Sequence, residues 1–256
     1  MNVYRTLVAS GVALVLGLAC TNVSALQVYS ENFEGATAGV TLMSELGWTN
    51  RGGDPSLEVS GDGSNNYYQG APGNDINNTF RFPMHAVTGL QVMDGPIRIE
   101  TDVYVAPDGN AYGNLTVHNP NAPFWDFVLA DVGANTGVRP GWTITLFNTD
   151  ASQDTTEFQA APVQADAFTN LAVVVDPVSG TFWGEINGVR GSGTRTLEAG
   201  QIDGLRNKAG IELLDGIRPG FTPLRFDNVR VTEIPEPATL GLLAVGSAFL
   251  LRRRIA

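Results

Sequence analysis

The run Ile97–Val105 constrains this chain most. Ile97, Ile99, Thr101, Val103 and Val105 alternate with Arg98, Glu100, Asp102 and Tyr104. Successive side chains of a strand point to opposite faces, so this strict period of two predicts a half-buried strand. No long amphipathic helix pattern appears between residues 26 and 233. Gly, Asn, Asp, Thr and Pro clusters separate short apolar runs there instead, the pattern of many strands joined by turns. Gln27–Glu34, Ser56–Ser60, Thr79–Phe82, Leu115–His118, Phe124–Ala130, Gly141–Asn148, Phe168–Val175, Thr181–Ile186, Lys208–Leu214 and Leu224–Glu233 read as further strands. The unbroken apolar Leu171–Val175 suits a central strand. Asp176–Gly180 reads as a hairpin turn, and Asn187-Gly188 as a tight one, because both residues tolerate positive φ. Val40–Leu46 reads as a loop or a short turn of helix, and Ala199–Leu205 as a short helical turn. Residues 50–79 read as the least structured part.

A dozen or so strands without a fixed repeat solve their edge problem by stacking two antiparallel sheets. The expected fold is all-β, an antiparallel β-sandwich of jelly-roll type over residues 26–233. A signal helix precedes it and a single hydrophobic helix follows it. Val173-Val174-Val175-Asp176, Gly180-Thr181-Phe182-Trp183 and Ile186-Asn187-Gly188 resemble the paired central strands of concanavalin A-like and laminin-G-like domains. Asn32-Phe33-Glu34-Gly35 and Arg225–Val231 resemble the two ends of such sandwiches. The resemblance implies a fold rather than an activity.

Both ends read as addresses. Arg5, an apolar run from Leu7 to Ala19 and the small-x-small Val23-Ser24-Ala25 form a signal peptide, with cleavage after Ala25. The competing reading is lipidation at Cys20, the single cysteine. At the other end, Pro235-Glu236-Pro237 precedes an uncharged apolar stretch, residues 238–251, and then Arg252-Arg253-Arg254. Such a stretch enters a bilayer with the arginines left on the cytoplasmic side. It falls short of the ~20 residues that a comfortable span needs. This order of Pro-Glu-Pro, helix and basic end resembles the PEP-CTERM sorting signal of Gram-negative bacteria. The resemblance implies recognition by exosortase, a membrane transpeptidase, with Pro235, Glu236 and Pro237 as the motif and Arg252, Arg253 and Arg254 as the basic stop. The expected organisation is a signal peptide over 1–25, the sandwich over 26–233 and the sorting signal over 234–256. The expected route runs through the secretion translocon and signal peptidase and a transient inner-membrane contact. It ends at the cell surface or outside the cell.

Charge narrows the partners. All 26 acidic residues, but only 11 of the 15 basic ones, lie between residues 26 and 237, so that segment carries a net −15. Nucleic-acid binding needs a basic face, and this chain is not expected to bind it. The segment holds no cysteine, which excludes thiol redox chemistry and Cys-ligated zinc.

Three places hold candidate chemistry. Glu34 and Asp227, with Glu31 as a substitute, stand where the resemblance puts a structural calcium site. The alternative is that each caps a turn or pairs with an arginine such as Arg225. Asp62-x-Ser64-x-Asn66 spaces oxygens like a calcium loop but lacks the closing Glu, so it reads as a solvated turn. Glu100-Thr101-Asp102 resembles part of the laminarinase-type Glu-x-Asp signature. A glycosidase needs two facing carboxylates, and here the second acid position holds Tyr104 or Val105. The third candidate is a carbohydrate groove. Trp183 and Glu185 share one strand face; Arg98, Glu100, Asp102 and Tyr104 share another. The competing reading puts Trp183 in the core, with Trp48, Trp125 and Trp142 in the core or at its rim. His85 and His118 lack metal-ligand spacing. The leading reading is a non-catalytic, exported surface or extracellular-matrix protein that binds exopolysaccharide. The alternative is a secreted glycan-active enzyme, or a specific lectin, on the same fold.

Overall fold

A computed structural model describes residues 25–50, 57–70, 80–81, 83–106, 112–118, 128–135, 142–147, 153–159, 166–197, 199–216, 222 and 224–234. The expected signal helix, the helix behind Pro237, Trp125 and most of Phe124–Ala130 lie outside them. The strands are β1 (Gln27–Glu31), β2 (Thr49–Asn50), β3 (Val59–Gly61), β4 (Asn66–Gln69), β5 (Phe80–Arg81), β6 (Pro83–Thr88), β7 (Ile97–Val105), β8 (Tyr112–His118) and β9 (Val128–Asn135). They continue as β10 (Trp142–Phe147), β11 (Gln153–Gln159), β12 (Ala167–Asp176), β13 (Thr181–Ile186), β14 (Val189–Arg190), β15 (Arg195–Thr196), β16 (Lys208–Gly216) and β17 (Arg225–Glu233). Among the described residues, an α-helix, α1 (Ala199–Asn207), and a 3₁₀ turn at Met43–Leu46 take the two places read as short helical turns.

Two antiparallel sheets stack into a sandwich. The first runs β14-β13-β12-β7-β17-β4-β3, with β1 also on β17 and β15 on β13. The second runs β11-β10-β9-β8-β16-β6-β2, with β5 also on β16. This compact unit spans Leu26–Glu233.

The period-two run becomes β7. Ile97, Ile99, Val103 and Val105 enter the core, and the Thr101 hydroxyl donates to the Asp227 carbonyl at 2.8 Å. Facing them across the sandwich are Leu115, Val117, Val132, Ile144, Ile211 and Leu213. Gly184 on β13 sets how closely the sheets approach. A Cβ added there would lie 2.5 Å from Ile144 Cγ2 and 3.0 Å from Val132 Cγ2. The apolar run of β12 is explained by its place between β13 and β7. Leu171, Val173 and Val175 join the core, while Ala172 and Val174, on the opposite face, are also fully buried.

Turn chemistry holds as expected. Asn187 (φ 50°) and Gly188 (φ 73°) both adopt positive φ between β13 and β14. At the other hairpin Asp176 Oδ1 accepts the Val178 and Ser179 amides at 2.9 and 3.2 Å. The first strand stops earlier than read. The Phe33 amide donates to Glu31 Oε1 at 2.7 Å, which turns the chain with Phe33 at φ 58° and wholly buried. Strands β4, β6 and β11 lack a sequence signal of their own. β4 is four residues between turn clusters, β6 opens on a proline, and β11 is polar apart from Phe158.

Candidate functional site

Arg98, Glu100, Asp102 and Tyr104 lie on the face of the first sheet turned away from the core. Directly opposite them on β12 stand Val174, Ala172, Asn170 and Phe168. Beyond, β13 sets Trp183 beside Val174 and Glu185 beside Ala172. The two groups read from separate strands therefore share one sheet face. On its other side, β17 brings Arg230 opposite Glu100, Asp227 opposite Asp102 and Arg225 opposite Tyr104.

This face divides into a tied half and an open half. In the tied half Arg98 donates from Nε to Glu100 Oε2 at 2.7 Å, from one terminal nitrogen to Glu185, and from the other to Asn170 Oδ1 at 2.9 Å. Burial works against the Arg98 charge, but its hydrogen bonds to Glu100 and Glu185 outweigh burial and hold the guanidinium above its ordinary range. Trp183 Nε1 donates to the second Glu185 oxygen at 2.8 Å. The Arg190 guanidinium sits 3.9 Å from the Trp183 ring centroid, so one face of the indole is covered. Asp102 accepts the Asn170 amide at 2.9 Å. Arg230 lies 3.1 Å from Glu100 and 3.7 Å from Asp102. Trp48 and Trp142, by contrast, are core residues.

The open half is a cleft of about 500 Å³ around Tyr104. Three aromatic rings line it: Tyr67, Tyr104 and Phe168. Phe168 is 56% exposed, unusual for a phenylalanine on a sheet, and its ring centroid lies 5.4 Å from that of Tyr104. Arg225 stands 4.7 Å from the Tyr67 ring and 4.9 Å from the Tyr104 ring. The Tyr104 hydroxyl donates to Asp166 at 2.5 Å, the main cause of its raised pKa. Asp62, Asp102 and Asp227 bring carboxylates to the same cleft, and Asn65 and Asn228 bring amides.

Asp227 is the buried member of this group. Its oxygens accept the Asn65 side-chain amide at 2.9 Å and the Asn228 backbone amide at 2.6 Å. Burial pushes its carboxyl above the ordinary range; these two donors oppose the shift, and the Glu34 and Asp102 charges add to it. Glu34 thus lies within electrostatic reach of Asp227. Its Oε1 accepts the Asn66 amide at 2.9 Å, and the amide of Phe33 takes up Glu31. Asp62 Oδ1 accepts the Ser64 hydroxyl and the Ser64 and Asn65 amides, the geometry of a capped turn. No group of three or more His, Cys, Asp or Glu suited to a metal ion occurs among the described residues.

The second sheet carries a polar row that sequence reading did not assemble. Asn114 donates to the Thr116 hydroxyl at 2.9 Å, and Thr116 donates to Asp131 Oδ1 at 2.6 Å. His118 Nε2 lies 3.0 Å from Glu212 Oε2, and both side chains are buried. Burial pushes the Asp131 carboxyl up to about 6. Alternation along β8 alone marks Asn114, Thr116 and His118 as one face; only pairing with β9 and β16 adds the two acids.

The comparisons bear on tail and fold. Residues 233–254 match the PEP-CTERM protein-sorting motif. That motif marks an exported protein. Comparison with curated proteins gave no match. Among solved structures, the carbohydrate esterase vb_24B_21 of Shiga toxin-encoding bacteriophage phi24B superposes with a TM-score of 0.50 at 13% identity, over 82% of this chain and 99% of that one. The CBM2 module of the evolved Dit of Lactobacillus casei BL23 phage J-1 gives 0.52 at 12% identity, over 83% and 98%. At such identities the likeness is one of fold, and the fold is the expected jelly-roll sandwich.

Proposed function

We propose that this protein is a non-catalytic saccharide-binding module, exported and then freed from the membrane at its C-terminal sorting signal. The cleft at Tyr104 carries the reading. A sugar ring stacks on a flat exposed aromatic and exchanges hydrogen bonds with polar groups around it. Phe168 and Tyr104 supply the platform, with Asp102, Asn65, Asn228 and Arg225 beside it. The cleft therefore replaces Trp183 as the favoured stacking site, since that indole is engaged by Glu185 and Arg190. The carbohydrate esterase and the CBM2 module among the similar folds agree with a carbohydrate ligand, in this case matrix exopolysaccharide. A glycosidase reading is disfavoured because Glu100 and Asp102 both stand within ion-pair distance of Arg230, and the position that would carry the second acid of the signature holds Tyr104 or Val105.

Glycan profiling of the purified protein tests this. Phe168→Ala should weaken binding to the best ligand about tenfold, the scale of one lost stacking contact, with an unchanged unfolding temperature. Binding equal to wild type would remove the cleft. The same titration with calcium and with a chelator examines Glu34 and Asp227, which we propose as a structural calcium pair. An unfolding temperature indifferent to both would dismiss the metal.

A further inference from the structure

The charge of the cleft selects among glycans. Of its lining residues, Asp62, Asp102 and Asp227 are acidic, and Arg225 is the one base. Arg225 is directed to Asp62, at 3.4 Å, and its plane is held between two tyrosine rings. Asp227 is held by two neutral amides and is crowded by Glu34 and Asp102. Asp102 has a neutral amide at 2.9 Å and Arg230 only at 3.7 Å. Two carboxylates thus border an aromatic platform with less positive charge than they would accept. An anionic sugar placed there meets like charge in a partly desolvated site, which costs several times more than in open water. A sugar ammonium meets the reverse. It donates charge-assisted hydrogen bonds to carboxylates and stacks its ring on Phe168.

Resting on the saccharide-binding reading above, we infer that the Tyr104 cleft prefers glycans bearing free amines over N-acetylated or neutral ones and rejects uronate-bearing ones. In the calcium-free protein the ammonium would lie between Asp102 and Asp227, competing there with the cation proposed for Glu34 and Asp227, with the pyranose ring against Phe168 and Tyr104.

The test uses the full-length protein and three oligosaccharides of equal length: a β-1,4-glucosamine oligomer, its fully N-acetylated counterpart and a galacturonate oligomer. Calorimetry is run at about pH 6, below the ordinary range of an amine, in a chelator and at low and high salt. The free-amine oligomer should bind at least about tenfold tighter than the acetylated one, the effect of one charge-assisted contact. The galacturonate oligomer should show no heat, and the amine advantage should shrink with salt.

The acidic chain as a whole also attracts a polycation, so variants separate the cleft from bulk charge. Asp102→Asn should erase most of the amine preference, and Asp62→Asn, which frees Arg225 to meet the cleft carboxylates, should reduce it, with the unfolding temperature measured alongside because Asp62 caps a turn. Asp203→Asn, on exposed α1, should leave it intact. Equal affinity for aminated and acetylated oligomers, tighter galacturonate binding, or a preference surviving both cleft substitutions would overturn the inference while leaving the cleft a saccharide site. Silence from all three oligomers, with a different glycan bound at Phe168, would also overturn it. Binding of every glycan unaffected by Phe168→Ala would instead overturn the proposed function.

Discussion

Single residues decide whether a polar group on this sandwich is a tool or a strut. Trp183 and Glu185 look like a sugar contact in the sequence, yet each satisfies the other and Arg98 completes the set. Phe168, which carries no motif, is the exposed ring. Asp131 shows how far burial reaches. Its carboxyl is pushed up to about 6, chiefly by desolvation, so the folded chain holds a proton there that the unfolded chain has released. That contribution is complete below about pH 4 and is lost as pH rises through about 6, worth at most about 3 kcal/mol. Asp131→Asn keeps the acceptor for Thr116 and removes the titration. Denaturant unfolding should therefore show the variant gaining on wild type between pH 4 and 8. A stability difference independent of pH would refute this account.

At the scale of elements, register does what composition leaves open. β7 acquires its meaning from β12 on one side and β17 on the other, which set Asp102 against Asn170 and Asp227. The cleft is assembled from β7, β12, β17, β4 and the turn at Asp62, segments up to 166 residues apart along the chain (Asp62 to Asn228). β13 sits close to the opposite sheet because Gly184 has no Cβ. Gly184→Ala drives a methyl into Ile144 and Val132, contacts that β-sheet backbones on both sides prevent from relaxing. Overpacking of this kind costs about 1–3 kcal/mol. Thermal unfolding should fall by several degrees, and Gly184→Ala combined with Ile144→Ala, which removes the obstructing Cγ2, should show part of it recovered as a loss smaller than the two single variants added together. No recovery would mean that the strain lies elsewhere.

For the whole molecule, the address and the domain are separable. The sorting motif occupies residues 233–254, beginning on the last residue of β17. Removal of Pro235–Pro237 should leave the sandwich folded and hold the protein in the membrane fraction, because the apolar stretch would no longer be cut away. Fractionation with an antibody to the sandwich checks this; normal release without the tripeptide would sink the role given to it. A net −15 between residues 26 and 237 repels anionic polymers within about one Debye length.

What the chain alone determined follows from local physics. Period-two alternation, β-branched runs and the turn residues at Asp176–Gly180 and Asn187-Gly188 act over a few residues, so β7, β12, β13 and β17 were legible along with the two-sheet architecture. The tail was legible because a sorting signal is read as a linear order of residues. Strands such as β4 and β11 were not, since β4 is short and β11 mostly polar, and each takes its place from pairing with β17 or β10. The site was half legible. Alternation placed Arg98, Glu100, Asp102 and Tyr104 on one face, but which of them stay open depends on partners brought from distant strands. Only tertiary structure closed Arg98, Trp183 and Glu185 into a satisfied network and left Phe168 beside Tyr104 uncovered, because hydrogen-bond saturation is a property of neighbours in space.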